Sequence, residues 1–151
     1  MGLDYGTQAL VPLVGTKNAA NTISGWTLTN AYQTEGATKP TKSFDVGGFS
    51  RVEFAIAYTQ GSAETANTIQ IKVEWTTDGT NFFQLMNDAT SGGTSTETVR
   101  EFSLLGVDAG TLYATFGIDI AYKDVIRLSV KETGVITNFG TVFIEGLLSG
   151  R

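Results

Sequence analysis

Apolar and polar residues alternate along this chain with a period of two, in run after run. In Arg51–Tyr58 (RVEFAIAY), Val52, Phe54, Ile56 and Tyr58 share one face, and Arg51, Glu53, Ala55 and Ala57 the other. Thr68–Thr77 (TIQIKVEWTT) sets Ile69, Ile71, Val73 and Trp75 against Gln70, Lys72 and Glu74. Leu112–Ile120 (LYATFGIDI) and Val125–Lys131 (VIRLSVK) repeat the pattern. Successive side chains of a strand point to opposite faces, so each run reads as a strand with one dry face and one wet face. Such strands belong to antiparallel sheets, because parallel sheets bury both faces. No helical period of useful length competes.

Shorter strands are expected at Trp26–Tyr32, Lys42–Val46, Phe82–Met86 and Glu97–Leu104. Thr141–Leu148 (TVFIEGLL) is apolar on both faces, which predicts cover on both sides. Turn residues punctuate the runs, among them Gly47-Gly48, Asp78-Gly79 and Thr133-Gly134. About eight or nine short strands at this spacing point to a sandwich, and 151 residues suit one domain. The expected fold is all-β: a two-sheet antiparallel β-sandwich of jelly-roll type over residues 26–151, preceded by an N-terminal extended arm over 1–25. Pairing 49–59 with 67–77 would set Val52 opposite Val73, Glu53 opposite Lys72 and Arg51 opposite Glu74, a register favoured by its opposite charges; a jelly roll could instead place these two strands in different sheets.

The arm has no clean period. Its Ala9–Val14 (ALVPLV) is apolar enough to dock, on its own sandwich or on a neighbouring subunit. Pro12 excludes the interior of a sheet, because it lacks the N–H that a ladder needs.

Composition excludes several chemistries. The chain has neither cysteine nor histidine. Disulfides, thiol nucleophiles, Ser-His-Asp triads and His-ligated metal sites are therefore ruled out within one chain. A net charge of -5 with scattered cations argues against a nucleic-acid partner. No run approaches the roughly 20 apolar residues of a membrane-spanning helix. The opening MGLDYGTQALVPLVG lacks a basic n-region and a long apolar core, so neither a signal peptide nor membrane association is expected and the chain is read as soluble.

What remains for chemistry is thin. VEWTTDGTNFFQLM (73–86) carries a strong tight-turn signal in Asp78-Gly79, and reads as a hairpin with Trp75 and Phe83 in the core. DGTN lacks the spacing of a calcium loop. Glu53 and Glu74 look paired with Arg51 and Lys72. Asp119 and Glu145 are the pair of acids to check across strands, since glycosidases hold two carboxylates about 5 to 10 Å apart. The polar loop over 91–99 has no helix after it to cradle a phosphate. The reading is no enzyme, no cofactor and no metal. Tyr113 and Tyr122 fall outside or at strand ends and are the aromatics best placed for contact. With Leu10, Val11, Pro12, Leu13 and Val14 of the arm they form the candidate interface.

The run ending in VEWTTDGTNFFQL, followed by IRLSVKETGVITNFGTVFIEGLL, resembles a small jelly-roll domain common in phage virion proteins. It is similar also to discoidin-like and carbohydrate-binding sandwiches. The resemblance covers about residues 41–149. Where that pattern often has Trp after the turn, this chain has Phe82 and Phe83. It implies a virion structural protein, of the capsid decoration (cement) type or a head or tail accessory, bound to the major capsid protein or other virion proteins. It also implies a symmetric homo-oligomer, trimers being common in the class. The alternative it implies is a carbohydrate-binding or receptor-binding module.

Overall fold

The computed structural model describes residues 9–33, 43–62, 67–84, 100–103, 110–134 and 137–150, and no side chains at 9–12 or 100–103. The loop over 91–99 and Glu97 lie outside the described residues. All regular structure among the described residues is β. The first sheet has the order β1 (Ala9–Val14), β12 (Thr141–Ser149), β6 (Arg51–Thr59), β10 (Thr111–Asp119), with β4 (Trp26–Thr27) also pairing β12. The second has the order β5 (Phe44–Asp45), β11 (Val125–Thr133), β7 (Thr68–Thr76), β8 (Phe83–Gln84), with β9 (Arg100–Ser103) also on β7. A small hairpin, β2 (Thr16–Lys17) with β3 (Ile23–Ser24), stands apart from both. The pairs are antiparallel, and the chain passes between the two sheets at β4–β5, β5–β6, β6–β7, β9–β10, β10–β11 and β11–β12. The molecule is an antiparallel β-sandwich.

The core is where the period-two pattern puts it. Val52, Phe54, Ile56 and Tyr58 of β6 face Ile69, Ile71 and Val73 of β7 and Ile126, Leu128 and Val130 of β11 across the sandwich, all buried. The Phe54 and Phe116 rings lie 4.8 Å apart and tilted, so neighbouring strands of the first sheet interlock on the core face.

Three expectations change. β6 and β7 do not pair. They lie in opposite sheets, β6 between β10 and β12 and β7 beside β11. The link from Gln60 to Asn67 is long enough to cross, whereas a two-residue turn would have forced pairing. The charges regroup accordingly: Arg51 bonds Glu53 on its own strand at 3.0 Å, and Glu74 takes Arg127 from β11 at 2.8 Å together with Lys72 at 3.2 Å.

Secondly, the arm is not separate from the sandwich: of the two dockings open to Ala9–Val14 it takes the one on its own sandwich, and is built into the fold from Ala9 onward. β1 is the edge of the first sheet, paired from Ala9↔Leu148 to Val14↔Ile144, with the register shifting between Pro12 and Val14. An edge position suits Pro12. Leu13 and Val14 are core residues and contribute no outer interface. Of Leu10, Val11 and Pro12 only the backbone is described, opposite Leu147, Gly146 and Glu145.

Thirdly, the Asp78-Gly79 turn does make a hairpin, with Trp75 opposite Phe83, but Phe83 is 53 % exposed. It lies at the margin, its ring 5.3 Å from Trp75. Asp78 organises the turn. It accepts backbone N–H bonds from Thr80 and Asn81, the Asn81 side-chain amide and the Thr76 hydroxyl. Gly79, at φ 73, supplies the left-handed residue.

One buried node was not anticipated. Glu132 of β11 is fully buried on the core side. Its carboxylate accepts from the Tyr58 hydroxyl, from Asn67 Nδ2 at 3.0 Å and from the Gly140 N–H at 2.7 Å. The node ties the two sheets together at one end of the sandwich. Gly140 has to be glycine, since a Cβ there would lie 2.6 Å from the Thr59 carbonyl oxygen and 2.7 Å from the Tyr58 ring.

Candidate binding groove

The outward row of β6 reads Arg51, Glu53, Ala55, Ala57, Thr59. Two alanines in succession on a central strand leave a trough, because small side chains cannot fill the outer surface. A wall comes from the N-terminal hairpin. Gly15, at φ 78, turns the chain off the sheet after β1. A Cβ there would lie 2.5 Å from the Ser24 carbonyl oxygen, so the return strand could not close on it. The Asn18 side chain accepts N–H bonds from Ala20 and Thr22 and fixes the hairpin tip. Lys17 then pins the hairpin to the first sheet, its ammonium 3.1 Å from the Glu145 carboxylate.

The result is a groove of about 340 Å³. Its floor is Ala55, Ala57 and Phe143; its walls are Ile23 of the hairpin and Tyr113 of β10; Glu145 closes one end. Beyond Tyr113 it continues into a hydroxyl-lined stretch with Thr59, Thr111 and Thr141. Phe143 is the reason β12 is apolar on both faces: it points outward yet is buried beneath this cover. An apolar floor, one aromatic face, a row of hydroxyls and a single ion pair can hold an uncharged, partly apolar ligand or the side chains of a partner.

The expected contact residues separate. Tyr113, 75 % exposed, stands at the groove wall. Tyr122 is fully exposed at the β10–β11 turn, at φ 65. Tyr113 is opposite Ala57 and the turn follows Asp119, opposite Arg51. Six strand residues, roughly 20 Å, separate the two levels, so the tyrosines do not share one patch. Asp119 and Glu145 also fail to converge. Both are on the first sheet's outer face, but they lie opposite Arg51 and Ala55 from opposite sides of β6. No group of three or more metal-ligating side chains gathers among the described residues. The sequence signal for the groove was the Ala55/Ala57 pair; Ile23, on a two-residue strand, gave none.

The wet face of the second sheet carries a different cluster. Glu74 lies between Lys72 and Arg127, and the Arg127 guanidinium stacks 3.6 Å over the Phe82 ring. Burial pushes the Glu74 carboxyl up, but the hydrogen bonds and positive charges of Arg127 and Lys72 outweigh it and hold the group below the usual glutamate value. The Asp78 carboxyl is drawn well below its usual range, first by the N–H bonds from Asn81 and Thr80 and then by the side chains of Asn81 and Thr76.

A carboxyl so lowered stabilises the fold while ionised. Its contribution is complete above the ordinary values, 4.5 for Glu74 and 3.8 for Asp78, and is lost as the pH falls through and below them. Asp78→Asn is therefore expected to flatten the acid limb of a plot of Tm against pH. An unchanged slope would place the acid sensitivity elsewhere.

No protein-family model matches the chain, and no curated protein matches it. Among solved structures, dimeric latent PorU from Porphyromonas gingivalis is similar over 97 % of this chain, with a TM-score of 0.45 and 12 % identity. The chain spans 13 % of the length of that protein. A likeness of this size says nothing about activity. No helix among the described residues is long and apolar enough to cross a membrane.

Proposed function

We propose that this chain is a non-enzymatic structural protein of a virion, a capsid-decoration or head- or tail-accessory subunit that works by contact with the major capsid protein or another virion protein. The observation that carries this reading is a division of labour among side chains. The buried or half-buried acids Glu74, Glu132 and Glu145 are each held by partners inside the fold. The large apolar side chains left exposed include Ile23, Leu112 and Tyr113 on the first sheet and its hairpin. Such a surface favours adhesion over turnover. The strand changes between sheets support the jelly-roll form that the sequence resemblance implies.

The test is co-sedimentation with particles stripped of this protein. Ile23→Asp is expected to cut retention by about tenfold or more, the loss of a central apolar anchor, with thermal unfolding unchanged. Retention equal to the wild type, or no retention of the wild type on any particle, would overturn the reading.

The groove itself favours a second reading, a carbohydrate- or receptor-binding module, since an aromatic face beside hydroxyls and a carboxylate suits a sugar ring. Glycan-array binding abolished by Tyr113→Ala would support it, and no binding at millimolar glycan would end it.

A further inference from the structure

β10 closes the first sheet on one side, and among the described residues no strand pairs with its outer edge. Its register with β6 is unbroken from Thr111↔Thr59 to Asp119↔Arg51. The Gly110 carbonyl accepts from the Gln60 N–H, and the Ile120 N–H donates to the Ser50 carbonyl. The even-numbered residues therefore turn their backbone groups toward β6. In an antiparallel ladder the alternate residues face the other way, so Thr111, Tyr113, Thr115, Gly117 and Asp119 offer an N–H and a C=O each to the outside. Monomeric proteins defend such an edge with lysine, proline, a bulge or a short strand. β10 reads TLYATFGID, with no lysine, arginine or proline, no bulge, and its one charge at the last position.

We propose that two copies of this chain pair edge to edge through β10, antiparallel about a two-fold axis at Thr115, so that their first sheets become one continuous sheet. The free backbone groups belong to odd-numbered residues, so an antiparallel partner must match odd to odd. The midpoint of the strand, Thr115, is itself odd. Full overlap and full hydrogen bonding thus coincide in one register; a slip by one mismatches the groups, and a slip by two shortens the ladder.

The side chains fit that register. On the outer face Thr115 meets Thr115, Thr111 meets Asp119, and Tyr113 meets Gly117 of the second copy. On the core side Leu112, exposed at the sheet margin, meets Ile118, and Ala114 meets Phe116. No like charges oppose each other. Gly117 is covered on the outer face by the Arg51–Glu53 pair, which fills the space a Cβ would take. The Tyr113 ring arriving from across the axis therefore meets the Arg51 guanidinium that lies over Gly117, a favourable contact for an aromatic ring. The proposal stands independently of the virion reading.

Sedimentation equilibrium of the full chain, from micromolar to millimolar, tests it. The wild type is expected to pass from the mass of one copy to the mass of two. Thr115→Lys sets two ammonium groups against each other on the axis, and Thr115→Pro removes an N–H that β6 does not use. Both are expected to stay at the mass of one copy throughout, and Thr115→Lys to keep the wild-type thermal unfolding. In amide-exchange measurements, Tyr113, Thr115 and Gly117 are expected to slow as concentration rises, and Ala114 and Phe116 to stay unchanged. A single-copy mass for the wild type at every concentration would overturn the proposal. So would a trimer, or a dimer that survives Thr115→Lys. Should Thr115→Pro fail to fold, Thr115→Lys and the exchange pattern decide.

Discussion

Glu132→Ala is expected to destabilise the fold by about 3–5 kcal/mol, the range for breaking a buried polar cluster by removing one member. The substitution deletes the acceptor for three donors at once. The Tyr58 hydroxyl, Asn67 Nδ2 and the Gly140 N–H all end on this carboxylate. Each donor left buried without a partner costs about 1–3 kcal/mol, and the void admits no easy collapse because Tyr58 and Gly140 are already in close contact. Glu132→Gln should cost less, about 1–2 kcal/mol on the scale of one imperfect hydrogen bond. It keeps the volume, and the Tyr58 hydroxyl can rotate to accept from the new amide. Urea denaturation of the three proteins measures the ordering. Equal losses for Ala and Gln would mean that the negative charge, and not the count of acceptors, is what the site needs.

Phe54→Ala should be comparably damaging, by about 3–5 kcal/mol. Phe54 is fully buried on β6, a central strand of the first sheet, and its ring meets Phe116 of β10 at 4.8 Å. Deleting it opens a cavity where backbone on either side is fixed by ladders to β10 and β12, so the surroundings can relax little. A double-mutant cycle with Phe116→Ala should return a coupling of about 0.5–1.5 kcal/mol for the ring pair. A coupling near zero would show that the two rings contribute through burial alone. In both series the urea m-value should stay constant, since neither change alters how much surface unfolding exposes.

The alternation in the sequence specified the faces of the strands and left their neighbours open. A half-buried strand announces which side chains go inward, and β6, β7, β10 and β11 all obey. Nothing in that pattern says which strand lies beside which, and charges at Arg51, Glu53, Lys72 and Glu74 fitted a hairpin as well as they fit their real partners. The length of the 60–67 link was the only local hint of a crossing. Glu132 was within reach: it follows Val130 at the next inward position, an acid on the dry side of a strand. The groove was far less legible. Its wall rests on two-residue strands that have no period to detect, and its floor on Phe143, whose outward direction made sense only once something covered it.

The hairpin that walls the groove leaves the first sheet just after Val14, opposite Ile144, and the chain is back on the same strand at Trp26, opposite Val142. Departure and return are thus moored almost side by side, and what happens between them is structurally a cul-de-sac. A lineage can lengthen, shorten or rewrite that detour and so reshape the groove, and the sandwich beneath answers for it only at Phe143, which loses or keeps its cover, and at Glu145, which loses or keeps its lysine.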